Sequence, residues 1–331
     1  MMAVLLIGAF AGCKQETGTE SEQGSSSQAA GGASEESKEW VPQKDITIVV
    51  PYEAGGNTDI PTRIIAKYMS KYSKTSVKVT NITGAGGRTG AKEVMKDDPD
   101  GYTLLLQSSG FVMQNALGLA DFTYEDFTPI GYFLDSTMAL VVSAKSDYKT
   151  LDDFVKAAKE DSGKIKMGSV TGTLPLFGAL YLEQQNGISF NKVDLGTGAK
   201  APELIGRRID AYIDGFGQVK QFIDSGDFRC LALFSDTTMT GYEDIPTLSS
   251  LGYKDFDYLS QKFGLWAPKG TSDAAVKYIN NLIKQISEDK DCEQELEKIC
   301  YKSMYTTTDE YVSTLKTIYP TFKEAAKSVV K

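Results

Sequence analysis

Two glycine-bearing loops hold the residues best suited to chemistry, each set between a β-branched run and a helix-like stretch. The first reads PYEAGGNTD over residues 51–59, and the second NITGAGGRTG over 81–90. Paired glycines let a backbone turn freely and approach a ligand closely. The helix start beyond each loop offers unpaired N–H groups and the positive end of the helix dipole, which suits a carboxylate or a phosphate. Tyr52, Ala54, Gly55, Gly56, Asn57 and Thr58 are therefore candidate ligand contacts in the first loop. In the second they are Gly84, Ala85, Gly86, Gly87 and Arg88, where the guanidinium could add a charge-assisted, bidentate contact. Neither loop fits a nucleotide motif, because Thr89 stands where GxGxxG needs glycine and no GK[ST] follows.

Other candidates lie farther along the chain. The stretch GSVTGTLP at 168–175 is again strand to helix, and it offers Ser169, Thr171, Gly172 and Thr173. Ser108 follows a third strand-like run and is a plausible hydroxyl contact. Lys200, after a glycine loop at 196–198, reads either as a surface charge or as a ligand contact. Asp214 either accepts an amine or hydroxyl, or orients a loop.

Histidine is absent, which removes the commonest general base and the commonest metal ligand. Ser169 does not sit in GxSxG, and the SxxK at 146–149 lacks its partner motifs, so no catalytic residue is expected. No acidic cluster has metal-loop spacing, and neither metal nor cofactor is expected. Cys292 and Cys300 stand eight apart in a helix-like stretch, about 12 Å by helical rise and too far for a disulfide. Both read as packing residues, and Cys230 as core.

These loops need strands and helices to hold them. The 331 residues suffice for two domains. Lys plus Arg is 35 and Asp plus Glu is 44, a net charge of −9 that disfavours nucleic acid. From Trp40 onward β-branched runs alternate with amphipathic helices: strands at 46–50, 77–80 and 102–107 enclose helices at 59–72 and 90–96. That order implies parallel pairing with right-handed crossovers. A second α/β region repeats the pattern. The boundaries read as 40–143 plus 264–331 for one lobe and 144–263 for the other, with a cleft between them. Lobe closure is expected about the crossings near Ser143 and Phe263. At the start, MMAVLLIGAFAG before Cys13 has the form of a signal-peptide apolar run, too short to span a bilayer. Residues 1–13 therefore read as a lipoprotein signal segment ending in a lipidated Cys13, and 14–39 as a polar tether.

The motifs ITIVVPYEAGGNTD (46–59), NITGAGGRTG (81–90) and DPDGYTLL (98–105) resemble the solute-binding proteins of tripartite tricarboxylate transporters, the Bug family. LIGRRID (204–210) and GLWAP (264–268) match more weakly. The resemblance implies a two-lobe periplasmic-binding fold of type II with a central ligand cleft. It also implies a di- or tricarboxylate or related organic acid as ligand, and two integral membrane subunits as partners. Carried over, the first two loops would act as a pincer on one carboxylate, and the loop at 169–173 would set specificity. The expected protein is a monomeric, membrane-anchored binding lipoprotein. A sensing lipoprotein of the same fold, or an enzyme handling acyl or phosphoryl groups, are the alternatives.

Overall fold

The computed structural model describes residues 39–196 and 198–327, so Cys13 and all but the last residue of the expected tether lie outside the described residues. The described residues form one compact unit, built on two sheets. The first lobe opens with β1 (Ile46–Val50), α1 (Asp59–Tyr72), β2 (Val77–Asn81), α2 (Arg88–Val94) and β3 (Thr103–Ser108). A short helix, α3 (Met113–Ala116), leads to β4 (Phe127–Ser136). β1 pairs in parallel with both β2 and β3, as the β-α-β-α-β order requires. Side chains alternate across β1. Ile46, Ile48 and Val50 pack with Ile65, Tyr68 and Met69 of α1, while Val49 joins Ala91 and Val94 of α2 on the other face. The two helices thus lie on opposite faces, and β1 becomes the centre of a reversal in strand order.

The second lobe holds β5 (Met138–Ser143), α4 (Leu151–Glu160), β6 (Lys166–Ser169), α5 (Leu174–Asn186), β7 (Asn191–Asp194), α6 (Lys200–Ile205), β8 (Ala211–Gly215), α7 (Phe216–Asp224) and β9 (Phe228–Phe234). Its sheet runs β7-β6-β8-β5-β9. The chain returns as β10 (Gln261–Pro268), followed by α8 (Asp273–Ser287), α9 (Lys290–Lys298), β11 (Lys302–Ser303) and α10 (Thr308–Ala326). The first sheet is completed as β11-β4-β10-β3-β1-β2, with β10 antiparallel to β3 and β4.

The lobe boundaries differ from those expected. β5 pairs with β8 and β9, so it belongs to the second lobe, and the first crossing lies at Thr137 rather than Ser143. β10 is in the first sheet from Gln261 onward, which puts the return crossing at Ser260 rather than Phe263. One residue separates β4 from β5, so the two read as a single extended run whose point of transfer only the pairing reveals.

α10 packs on more than the first lobe. Tyr311 lies against Tyr132 of β4 and Trp266 of β10, with ring centroids at 4.1 and 5.0 Å. One helix length farther on, Phe322 meets Phe177 of α5 at 5.2 Å and Tyr258 at 5.6 Å. Every residue from Leu174 to Leu182 is buried, because α5 is covered by its own sheet on one side and by α10 on the other.

Candidate functional site

Ligands in open α/β sheets bind where the strand order reverses. In the first lobe that point lies between β1 and β3, and in the second between β6 and β8. The loops that leave these four strands face one cavity of about 350 Å³, near the lower end of the ~300–1,000 Å³ typical of small-molecule sites. Tyr52 through Thr58, Ser108 and Gly110 come from the first lobe. Gly172, Thr173, Leu174, Pro175, Lys200, Asp214 and Gln218 come from the second, and Gln261 and Phe263 stand at the crossing.

The first loop is held by Asp59 rather than capped by it. Thr58 occupies the cap position of α1 without a side-chain bond. The buried Asp59 carboxylate accepts from Gly55 N–H and Arg63 Nε, both at 2.8 Å, and from Asn81 Nδ2 at 2.9 Å. Asn81 Nδ2 also donates to the Tyr52 carbonyl, and Arg63 Nη2 donates to Asn81 Oδ1. Burial alone would raise the Asp59 pKa, but the bonds from Arg63, Gly55 and Asn81 outweigh it and hold the carboxyl below its ordinary value. Gly56 N–H is also spent, on the Glu53 carbonyl. The amides of Ala54, Asn57 and Thr58 have no acceptor among the described residues. Asn57 is fixed from behind by Tyr301, whose hydroxyl donates to its carbonyl at 2.5 Å and contacts its side-chain oxygen.

The second loop does not line this cavity, contrary to the expected pincer. Gly84, Ala85, Gly86, Gly87 and Arg88 follow β2, which is the edge strand. The Tyr52 ring stands between: a Cβ on Gly87 would lie 3.0 Å from Gln107 Nε2 and 3.1 Å from Tyr52 Oη. Burial pushes the Tyr52 phenol up to about 12. Four consecutive residues, Gly84, Ala85, Gly86 and Gly87, have positive φ, which Ala85 tolerates poorly and the glycines freely. This loop meets the second lobe at the rim instead. Gln114 Nε2 donates to the carbonyls of Gly86 (2.6 Å) and Gly172 (3.1 Å), and Arg88 Nη1 lies beside the same two glycines.

In the second lobe Gly172 and Thr173 reach the cavity, while Ser169 and Thr171 do not. Ser169 is buried at the end of β6, and Thr171 is exposed with its N–H bound to Asp194 Oδ1 at 2.8 Å. Asp214 lines the cavity and binds Lys200, Nζ to Oδ2, at 2.6 Å. Lys200 is 3% exposed, which removes the surface reading of this lysine.

Comparison with known proteins decides the family. The profile of the tripartite tricarboxylate transporter family receptors, TctC, matches residues 62–318. The chain belongs to that receptor family. Protein BugT of Bordetella pertussis is 30% identical over 268 residues, which cover 79% of this chain and 82% of BugT. The solved periplasmic binding protein BugD superposes with a TM-score of 0.78 at 26% identity, covering 88% of this chain and 99% of BugD. MatC of Rhodopseudomonas palustris, solved with bound malate, shares the fold: TM-score 0.76 at 21% identity, covering 86% of this chain and 99% of MatC. Members of this receptor family are extracytoplasmic solute-binding proteins rather than enzymes, and so is this chain. No helix among the described residues is long and apolar enough to cross a membrane.

Several cavity residues carried no usable signal in the sequence. Gln218, Gln261, Phe263 and Met113 lie in elements whose periodicity shows burial but not direction. Tyr301 reaches Asn57 across 244 positions of sequence.

Proposed function

We propose that this receptor captures a small organic acid by one carboxylate at the first loop and presents it to the membrane subunits of a tripartite carrier. The observation that carries the reading is the set of unengaged amides at Ala54, Asn57 and Thr58, on a cavity wall that opens into the N-terminus of α1. Backbone donors there meet the positive end of a helix dipole, and a carboxylate satisfies both without a cationic side chain. The global charge of −9 is no obstacle, because the local field is set by these dipoles. Ser108 and Thr173 add hydroxyls at the flanks, and Met113, Leu174, Pro175 and Phe263 supply apolar contact for the carbon skeleton. The bound malate of MatC, a protein of the same fold, accords with this class of ligand. The protein acts as a monomer held at the membrane by a lipid on Cys13, with the polar stretch behind it as tether.

The test is calorimetry on protein unfolded, dialysed free of ligand and refolded, against mono-, di- and tricarboxylates and amino acids. One saturable site per chain for an acid is expected. Binding to none of them by protein that regains its native melting profile overturns the proposal. Labelling by radioactive palmitate, lost in Cys13→Ser, tests the anchor.

A further inference from the structure

A second cavity of about 350 Å³ lies beside the ligand cavity, walled by the first turn of α1, by α7 and by the end of α9. The two cavities share two wall residues, Gly55 and Gln218. Neither makes a firm partition. Gly55 has no side chain, and a Cβ there would meet nothing within 4 Å. Gln218 is half-buried on α7, and its side-chain amide has no hydrogen-bond partner among the described residues. Such a side chain changes rotamer at little cost, since no hydrogen bond is broken. The space then runs on from the first loop, past Gly55, once one side chain turns.

The walls of this side cavity suit an uncharged group. Ile60, Pro61 and Ile299 give it an apolar side, and Ile60 is 40% exposed. Gln221 of α7 adds a neutral amide that is unpartnered among the described residues. The charged groups offer little to an ion. Lys220 and Asp224 neutralise each other, and the Tyr242 hydroxyl donates to the same carboxylate. Lys298 is exposed, so water screens it. We propose that the side cavity is a tail subsite. It takes the uncharged far end of an elongated acid whose carboxylate sits at the first loop, and Gln218 turns aside to let it pass. This inference rests on the proposed acid-binding reading and adds a second direction in which the ligand extends.

The experiment measures dissociation constants for butyrate, hexanoate and octanoate, and for suberate, which matches octanoate in length but is charged at its far end. In wild type each methylene beyond Gly55 should tighten binding about two- to fourfold, the upper value being that for full burial. Gln221→Trp fills the side cavity and Ile60→Ser strips its apolar wall, and neither residue lines the ligand cavity. Octanoate should weaken about 4- to 16-fold in Gln221→Trp, the gain of two methylenes, and about two- to fourfold in Ile60→Ser. Butyrate and suberate should stay within about twofold of wild type in both, since neither leaves a methylene tail in the side cavity. Gln218→Ala, which removes the partition, should tighten octanoate relative to butyrate. Octanoate no tighter than butyrate in wild type, or unchanged in both wall variants, overturns the tail subsite while leaving acid binding intact. Equal weakening of butyrate and octanoate also overturns it, since that marks a structural effect on the first loop. Losses for suberate equal to those for octanoate overturn the uncharged tail. Failure of wild type to bind any acid overturns the acid-binding reading and this inference with it.

Discussion

Asp59→Asn is the substitution whose cost follows most directly from the hydrogen bonds. It keeps shape and volume but turns one oxygen into an NH₂ group. Asp59 Oδ2 accepts from Gly55 N–H and Arg63 Nε, and Oδ1 from Asn81 Nδ2. With the remaining oxygen toward Gly55 and Arg63, the new NH₂ faces the Asn81 NH₂. Asn81 has no escape by flipping, because its nitrogen also donates to the Tyr52 carbonyl and its oxygen accepts from Arg63 Nη2. One hydrogen bond is lost outright, a donor is stranded, and two bonds lose their charge. At about 1.5–3 kcal/mol for a hydrogen bond to a charged group, partly relieved by water at the half-exposed Arg63, the net cost is about 2–4 kcal/mol. For a chain of this size that lowers the melting temperature by about 4–8 °C. The Gly55 tether is weakened too, so the first loop must be ordered by ligand, and affinity should fall about 2- to 10-fold. Differential scanning calorimetry and ligand titration of the same preparation read both effects. A variant that melts within 1 °C or so of wild type and binds as tightly would refute the view that Asp59 holds the loop, given the size of effect expected.

Gly87→Ala should cost about 1–3 kcal/mol in urea unfolding, since φ is +94° and the added Cβ would press on Gln107 and Tyr52; a neutral result would contradict that packing. Phe322→Ala opens a void between Phe177 and Tyr258 and should cost about 3–5 kcal/mol. Small-angle scattering of its ligand-free form should also show a larger radius, and an unchanged radius would remove α10 as a tie between the lobes. Acid should unfold the protein through Asp289 as well as Asp59. Asp289 caps α9 and bonds Lys71 and Tyr72 of α1, and the bonds from Lys71 and Tyr72 hold its carboxyl far below its ordinary value. Both carboxyls are depressed in the fold, so their stabilisation is complete above the unfolded aspartate value of 3.8 and fades as pH falls through the folded values. Asp289→Asn should therefore melt lower at neutral pH and show a flatter acid limb, and an acid limb as steep as wild type would contradict this role.

The amphipathic elements were legible from the chain alone. The strand over 46–50 and the helix over 59–72 coincide with β1 and α1, because apolar spacing and turn residues act locally. α9 starts at Lys290 behind its cap Asp289, a polar residue in a polar run that gives no apolar signal of the start. What local pattern does not carry is strand order. The two glycine loops look alike in sequence, yet only the one after β1 stands at the reversal, while the other follows the edge strand β2. The same limit hid Lys200. A lysine beside a glycine loop reads as solvent-facing until β8 brings Asp214 against it.

The division of labour between the lobes follows from where each kind of group is inexpensive to fix. The first lobe presents main-chain donors, and three side chains (Asp59, Asn81 and Tyr301) are committed to holding them without contacting the ligand position themselves. Under the proposed reading, such a wall would take any carboxylate. The second lobe presents side chains from two helix starts, Thr173 at the cap of α5 and Lys200 in the first turn of α6, outside the first sheet. Under the proposed reading, closure of one lobe on the other would bring the two walls together and exclude water, which strengthens polar contacts on both. The chain passes between the two sheets at Thr137 and at Ser260, so such a motion would turn about these two crossings. α10 limits its range, because Phe322 would have to leave Phe177 for the lobes to part widely. Under the same reading, opening would keep the α5–α10 contact as its pivot and separate Gln114 from Gly172 at the rim. Gln114→Ala should accordingly speed ligand release more than it weakens the fold, with stopped-flow dissociation as the readout, and an unaltered off-rate would exclude the rim contact as the latch.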